Sequence, residues 1–193
     1  MSAAALLSLA WQTIVAPREV ARLLISLRLS REVLLTGFAL VVVLNALIVG
    51  LMQLGGEVPA GMLLAPVPMG LLLATMLAAS IAVMTWAGRT LGGSGRIEDV
   101  AVLLIWLQAL RALAQLGVAL LGAVSGGLAL LVVLGSLIVG IWILVNFLDE
   151  AHGLGSPFKA LLVLILASVA LVLALMMIVS LLGVGPNGMA GYV

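Results

Sequence analysis

Five stretches of the chain, approximately residues 33–54, 67–88, 102–124, 127–148 and 158–183, are almost wholly apolar. A helix rises about 1.5 Å per residue, so about 20 such residues are needed to cross a hydrocarbon layer of about 30 Å, and every stretch is long enough. Composition agrees. The 193 residues are 65% hydrophobic and 8% charged, with a mean hydropathy of +1.44, whereas a soluble domain carries about a quarter charged residues. The expected fold is an all-α integral membrane protein with five transmembrane helices, preceded by an N-terminal amphipathic interfacial segment.

The breaks between the stretches are short: "GGEVPAG", "GRTLGGSGRIED", "SGG" and "DEAHGLGSP". None has room for a soluble domain. The expected division is an interfacial segment over 1–32, one membrane domain over 33–183, and a short tail over 184–193. With five crossings, Arg18, Arg22, Arg28, Arg31, Arg89, Arg96 and Lys159 all fall on one side, and the other side has Glu57, the "SGG" turn and the uncharged tail "GVGPNGMAGYV". The positive-inside rule then predicts a cytoplasmic N-terminus and an exported C-terminus. Trp11, Trp86 and Trp142 fall near the basic side, as an interfacial aromatic belt requires. At the N-terminus the basic residues follow the apolar stretch, the reverse of a secretory leader, so the segment is expected to be retained.

Before the first crossing, "PREVARLLISLRLSRE" opens with a proline suited to a first helical position. At 100° per residue Val20, Leu23, Leu24 and Leu27 gather on one side, and Arg18, Glu19, Arg22 and Ser26 on the other. Such a helix lies on the cytoplasmic leaflet, held by apolar burial and by attraction to anionic lipid, or packs on the bundle as a solvated cap. Arg18, Arg22, Arg28 and Arg31 form the expected lipid or partner surface. The earlier "AAALLSLAWQTIV" is too short to span and is expected to lie flat as well.

Within the third crossing, "WLQALRALAQ" places Gln108, Arg111 and Gln115 at helical spacings of three and four. The membrane core starts near Trp106, so Arg111 is expected about 8 Å below the boundary, within reach of a snorkelling side chain. Two readings stay open. Arg111 is a structural arginine that snorkels, or the three residues form an intramembrane polar stripe facing the bundle interior or a partner, with Asp149 and Glu150 as possible ion-pair partners. The glutamines act as interhelical glue in either case.

The remaining features exclude more than they assign. Without cysteine, disulfides and thiol chemistry are impossible. His152 is the only histidine and is expected in a polar loop, so a two-histidine haem or a histidine metal cluster within this chain is ruled out, and no cofactor is expected. "GGSG" at 92–95 lacks the lysine and preceding strand of a phosphate loop and reads as a turn. "DEAH" at 149–152 shares only its letters with a helicase box. Adjacent carboxylates point about 100° apart on a helix, so Asp149 and Glu150 read as solvated capping residues. The nine methionines fill packing gaps. Small residues four apart, Ala74, Ala78 and Ala82, Ser136 and Gly140, Ala170 and Ala174, are expected to let helices approach closely. With 8 basic and 7 acidic residues there is no basic face for a nucleic acid.

The order of parts, an amphipathic N-terminal segment with "PRE", a first crossing rich in Ala, Leu and Val, and "LGGSGRIEDVAVLLIWLQAL" between the second and third crossings, resembles the Yip1-domain membrane proteins. The resemblance rests on Gly92, Gly93, Gly95 and the run from Ile97 to Leu107. It is to the bacterial branch, since the acidic "DLYGP"-type motif of the eukaryotic branch is absent. It implies a five-helix fold and no established catalytic activity. Seven arginines to one lysine also point to a GC-rich bacterial genome, and so to the bacterial cytoplasmic (inner) membrane. Two functions are expected of such a chain. One is a non-enzymatic scaffold, assembly factor or accessory subunit whose partners are membrane lipids and other membrane proteins or further copies of itself. The other is a small transporter or channel component using the stripe on the third crossing.

Overall fold

The structure, a computed structural model, describes residues 3–54, 66–122 and 124–181. These form seven helices and no strand: α1 (Ala3–Val15), α2 (Pro17–Ser26), α3 (Arg31–Leu54), α4 (Pro66–Thr90), α5 (Ile97–Gly122), α6 (Gly126–His152) and α7 (Pro157–Leu181). The last five contain segments long and apolar enough to cross a membrane, over Arg31–Gln53, Val67–Thr90, Ile97–Gly122, Gly126–His152 and Pro157–Met177. Within hydrocarbon each backbone group must be paired inside its own segment, which a continuous helix achieves. The expectation of an all-helical fold with five apolar spans holds. Glu57 and the tail 184–193 lie outside the described residues.

The chain runs up and down, so one end of the bundle gathers the start of α3, the turn from α4 to α5 and the turn from α6 to α7. Short helices α1 and α2 sit at that same end, α2 against α6 and α5, and α1 against α2 and α6. We refer to it as the capped end. Among the spans, α5 packs on α3, α4 and α6, while α7 lies against α4 and α6.

Burial is concentrated under the cap. In α6 no residue from Gly126 to Trp142 is buried, whereas Ile143, Val145 and every residue from Asn146 to Asp149 are. Lipid tails are as apolar as leucine, so apolar contact alone gives little drive for helices to associate in hydrocarbon. At the capped end, charged hydrogen bonds act together with this apolar burial.

The small residues in tight contact are not those the four-residue spacing selects. Ala78, Ala82 and Ala174 are exposed and a side chain added at Gly140 would meet nothing, whereas Ala87, Ala160 and Ala167 are fully buried. Spacing identifies a small-residue stripe but not the azimuth at which the neighbouring helix arrives.

Candidate functional site: the polar cap of the bundle

The last two turns of α6 read "NFLDEAH". Asn146 and Asp149, three apart, are neighbours on the helix surface, and both are buried. Asp149 is the more demanding, because a buried carboxylate must be paired and hydrogen-bonded. Its Oδ2 accepts from Arg18 Nη2 at 2.6 Å, and its Oδ1 accepts from the backbone N–H of Ser156 at 2.9 Å. Arg18 Nε donates to Asn146 Oδ1 at 2.9 Å, and Asn146 Nδ2 donates to the Trp142 carbonyl at 2.8 Å. One guanidinium therefore holds α2 to two side chains of α6. Beside it, Arg22 lies 3.5 Å from Glu150, a more exposed pair.

Asp149 also organises the turn into α7. Its carbonyl accepts from the N–H of Leu154 at 3.1 Å, while Gly153 closes α6 with φ 63°, a left-handed conformation that glycine adopts without steric penalty.

Next to this cluster, His152 is the last residue of α6 and 1% exposed. Its Nδ1 lies 3.1 Å from the Leu148 carbonyl, and its own carbonyl accepts from Ser94 N–H at 3.0 Å. The imidazole is enclosed by glycines. A Cβ on Gly88 would overlap the ring, one on Gly93 would come within 2.6 Å of His152 Cβ, and one on Gly95 within 2.5 Å of the ring. Arg89 Nε, donating to the Gly95 carbonyl at 2.9 Å, ties the "GGSG" turn back to α4. The turn is thus shaped to admit one side chain from another helix.

At the outer rim Thr13 is fully buried. Its hydroxyl donates to Leu9 O at 2.8 Å and accepts from Trp106 Nε1 at 3.0 Å, joining α1 to α5. The start of α5 carries Glu98, 3.6 Å from Arg96 and 4.0 Å from Arg31.

Several expectations are corrected by this geometry. Asp149 is a buried ion-pair partner and not a solvated cap, and His152 lies in the core and not in a polar loop. Arg18, assigned to the outer polar face with Arg22, reaches inward. The buried face of α2 is formed by Pro17, Val20, Ala21 and Leu24, while Leu23 and Leu27 are about half exposed. At 100° per residue the helix is turned by about 60° from the azimuth its apolar residues alone predict. Arg28 and Arg31 stay exposed.

Arg111 does not meet Asp149 or Glu150, which are taken by Arg18 and Arg22. About the turn at Val124 and Ser125, antiparallel α5 and α6 place residue 111 level with residue 137, and residue 149 is about 18 Å further along the axis. Arg111 is exposed and in no ion pair among the described residues, whereas Gln108 and Gln115 are half-buried. Gln115 Oε1 is buried without a hydrogen-bond partner among the described residues.

Sequence alone marks neither Asn146 nor the enclosure of His152 by Gly88, Gly93 and Gly95. The signal available was "NFLDEAH" itself, three hydrogen-bonding residues spaced by three at the end of an apolar helix.

Seven helices among the described residues, five of them apolar spans, closed at one end by a buried ion-pair network, define a polytopic helical membrane protein. More specifically, the Yip1 domain pattern matches residues 11–179, and the chain belongs to the Yip1-domain family. That is a family of membrane proteins not known as enzymes. No curated protein and no solved structure matches the chain.

Proposed function

We propose that this chain is a non-enzymatic scaffold, assembly factor or accessory subunit of a membrane complex, working through its capped end. In this reading it sits in a bacterial cytoplasmic membrane with the N-terminus in the cytoplasm and the C-terminus exported. The observation that carries the reading is the segregation of polar groups along the bundle axis. Arg18, Arg22, Arg28, Arg31, Arg89, Arg96 and Lys159 belong to the capped end, together with six of the seven acidic residues, Glu57 excepted. Further along the spans, polar side chains are turned back on their own helices. Asn45 donates to Val41 O, Thr75 to Leu71 O, Ser80 to Met76 O and Ser168 to Leu164 O, so the three hydroxyl donors are all committed within their own helices. A transport path needs polar groups from several facing helices. A face that interleaves both signs of charge suits selective docking of a partner.

The stripe of Gln108, Arg111 and Gln115, with Gln115 Oε1 unpartnered, is the observation that favours a small transporter or channel component. Anion flux in proteoliposomes that is lost in Arg111→Leu would favour that second reading.

For the scaffold reading, the chain is purified from native membranes in mild detergent and its co-eluting proteins identified. Replacing Arg22, Arg31 and Lys159, all exposed, with glutamine is expected to remove those partners while lowering the unfolding temperature only slightly, as the loss of exposed ion pairs does. Retention of every partner by this triple variant would refute the assignment of the working face.

A further inference from the structure

We propose that the corner between α2 and α3, with the start of α5, is a headgroup site for a phospholipid bearing both a phosphate and a primary ammonium group. A cavity of about 70 Å³ opens there, with Leu24, Leu34 and Val102 on its apolar side and Arg28, Arg96, Glu98 and Asp99 on its polar side. It has room for about five waters or one phosphate-sized group. Of these, Glu98 is engaged by Arg96 and by Arg31, whereas Arg28 and Asp99 are in no ion pair among the described residues. One uncommitted cation and one uncommitted anion thus border the same cavity, the charge complement of a zwitterion. An anionic headgroup without an amine would meet Asp99 unfavourably.

The backbone at Arg28 points the same way. Its φ of 42° makes it the one non-glycine residue in the left-handed region among the described residues. A position just beyond a helix end in this conformation favours glycine, because a Cβ there crowds the backbone. An arginine where glycine would fold more easily is the kind of outlier that accompanies function, and this one lines the cavity. The positive end of the α5 dipole adds to the attraction for phosphate. The proposal rests on the reading that the capped end meets a membrane leaflet.

The test is thermal stabilisation of the full chain in detergent, titrated with short-chain phosphatidylethanolamine, phosphatidylcholine, phosphatidylglycerol or inorganic phosphate. Phosphatidylethanolamine is expected to half-saturate at about a tenfold lower concentration than phosphatidylcholine, whose trimethylated nitrogen cannot donate to Asp99. Arg28→Gly is expected to weaken that binding by about tenfold, the effect of one lost charge-assisted hydrogen bond. Without lipid its unfolding temperature is unchanged or raised, since glycine suits the conformation. Arg28→Asn, also tolerant of that conformation, repeats the loss, and Asp99→Asn erases the preference between the two zwitterionic lipids. Equal binding of all three lipids, equal stabilisation by inorganic phosphate, or wild-type binding by Arg28→Gly would each overturn the site. In parallel, a fluorophore on Leu23→Cys, in a chain with no other cysteine, is quenched by brominated acyl chains if the leaflet reading holds. Quenching without headgroup preference removes the site alone, and absence of quenching removes the leaflet reading and the site with it.

Discussion

His152 fills a space that exists only because Gly88, Gly93 and Gly95 have no side chains. Gly88→Ala is therefore expected to lower stability by about 1–3 kcal/mol, the usual consequence of overpacking. Gly140→Ala, where the new methyl meets nothing, is expected to be neutral or stabilising because alanine favours the helix. Thermal unfolding of both in detergent checks the contrast, and equal losses would mean that the cage is not tightly packed. The two α2 arginines make a second contrast. Arg18→Leu leaves the buried Asp149 carboxylate without its charged partner and is expected to cost about 1.5–3 kcal/mol. Arg22→Leu breaks a more exposed pair and is expected to cost at most about 1 kcal/mol. Urea or thermal unfolding that ranks them the other way would shift the anchor of α2 to Glu150. Arg111, exposed and without a carboxylate at its level, should tolerate lysine as a snorkelling residue does. A large loss in Arg111→Lys, comparable to that in Arg111→Leu, would instead reveal a guanidinium-specific contact.

The element that most depends on tertiary context is α2. Its amphipathic period was legible, since Val20 and Leu24 are buried as the spacing of apolar residues requires. Its azimuth was not, because the two hydrogen bonds from Arg18 to Asn146 and Asp149 join residues 128 and 131 positions apart in the chain. If those bonds hold α2 on the bundle, Arg18→Leu should expose the connection at residues 27–30 to protease. Limited proteolysis followed by mass spectrometry should find cleavage there in the variant and not in the wild type. Protection in both would mean that burial of Val20, Ala21 and Leu24 suffices to dock the helix. For α5, by contrast, the bond from Trp106 to Thr13 joins residues 93 apart and has no local signal.

At the scale of the whole molecule, the helices share an axis along which charge is sorted. Under the positive-inside reading, a reporter fused after Arg96 is expected to be active in the cytoplasm and one fused after Val193 on the exported side. The opposite pattern would invert the membrane orientation, and both reporters active on one side would change the number of crossings. The number of spans and their apolar character were determined by the sequence alone, because crossing hydrocarbon is a condition on length and composition within a single segment. The family, too, was legible from the order of these parts and from the glycine turn at residues 92–95. What only the tertiary structure decided is which polar residues meet. Asp149 could have paired with any of several arginines, and the partner depends on helix azimuth and relative depth, which are set where five chain segments come together at one end of the bundle. Apolar periodicity carries no record of depth, so spacing alone leaves Asp149 and Glu150 open as partners of Arg111, although about 18 Å of helix axis separates residues 111 and 149, and it places His152 in a loop although three glycines enclose it.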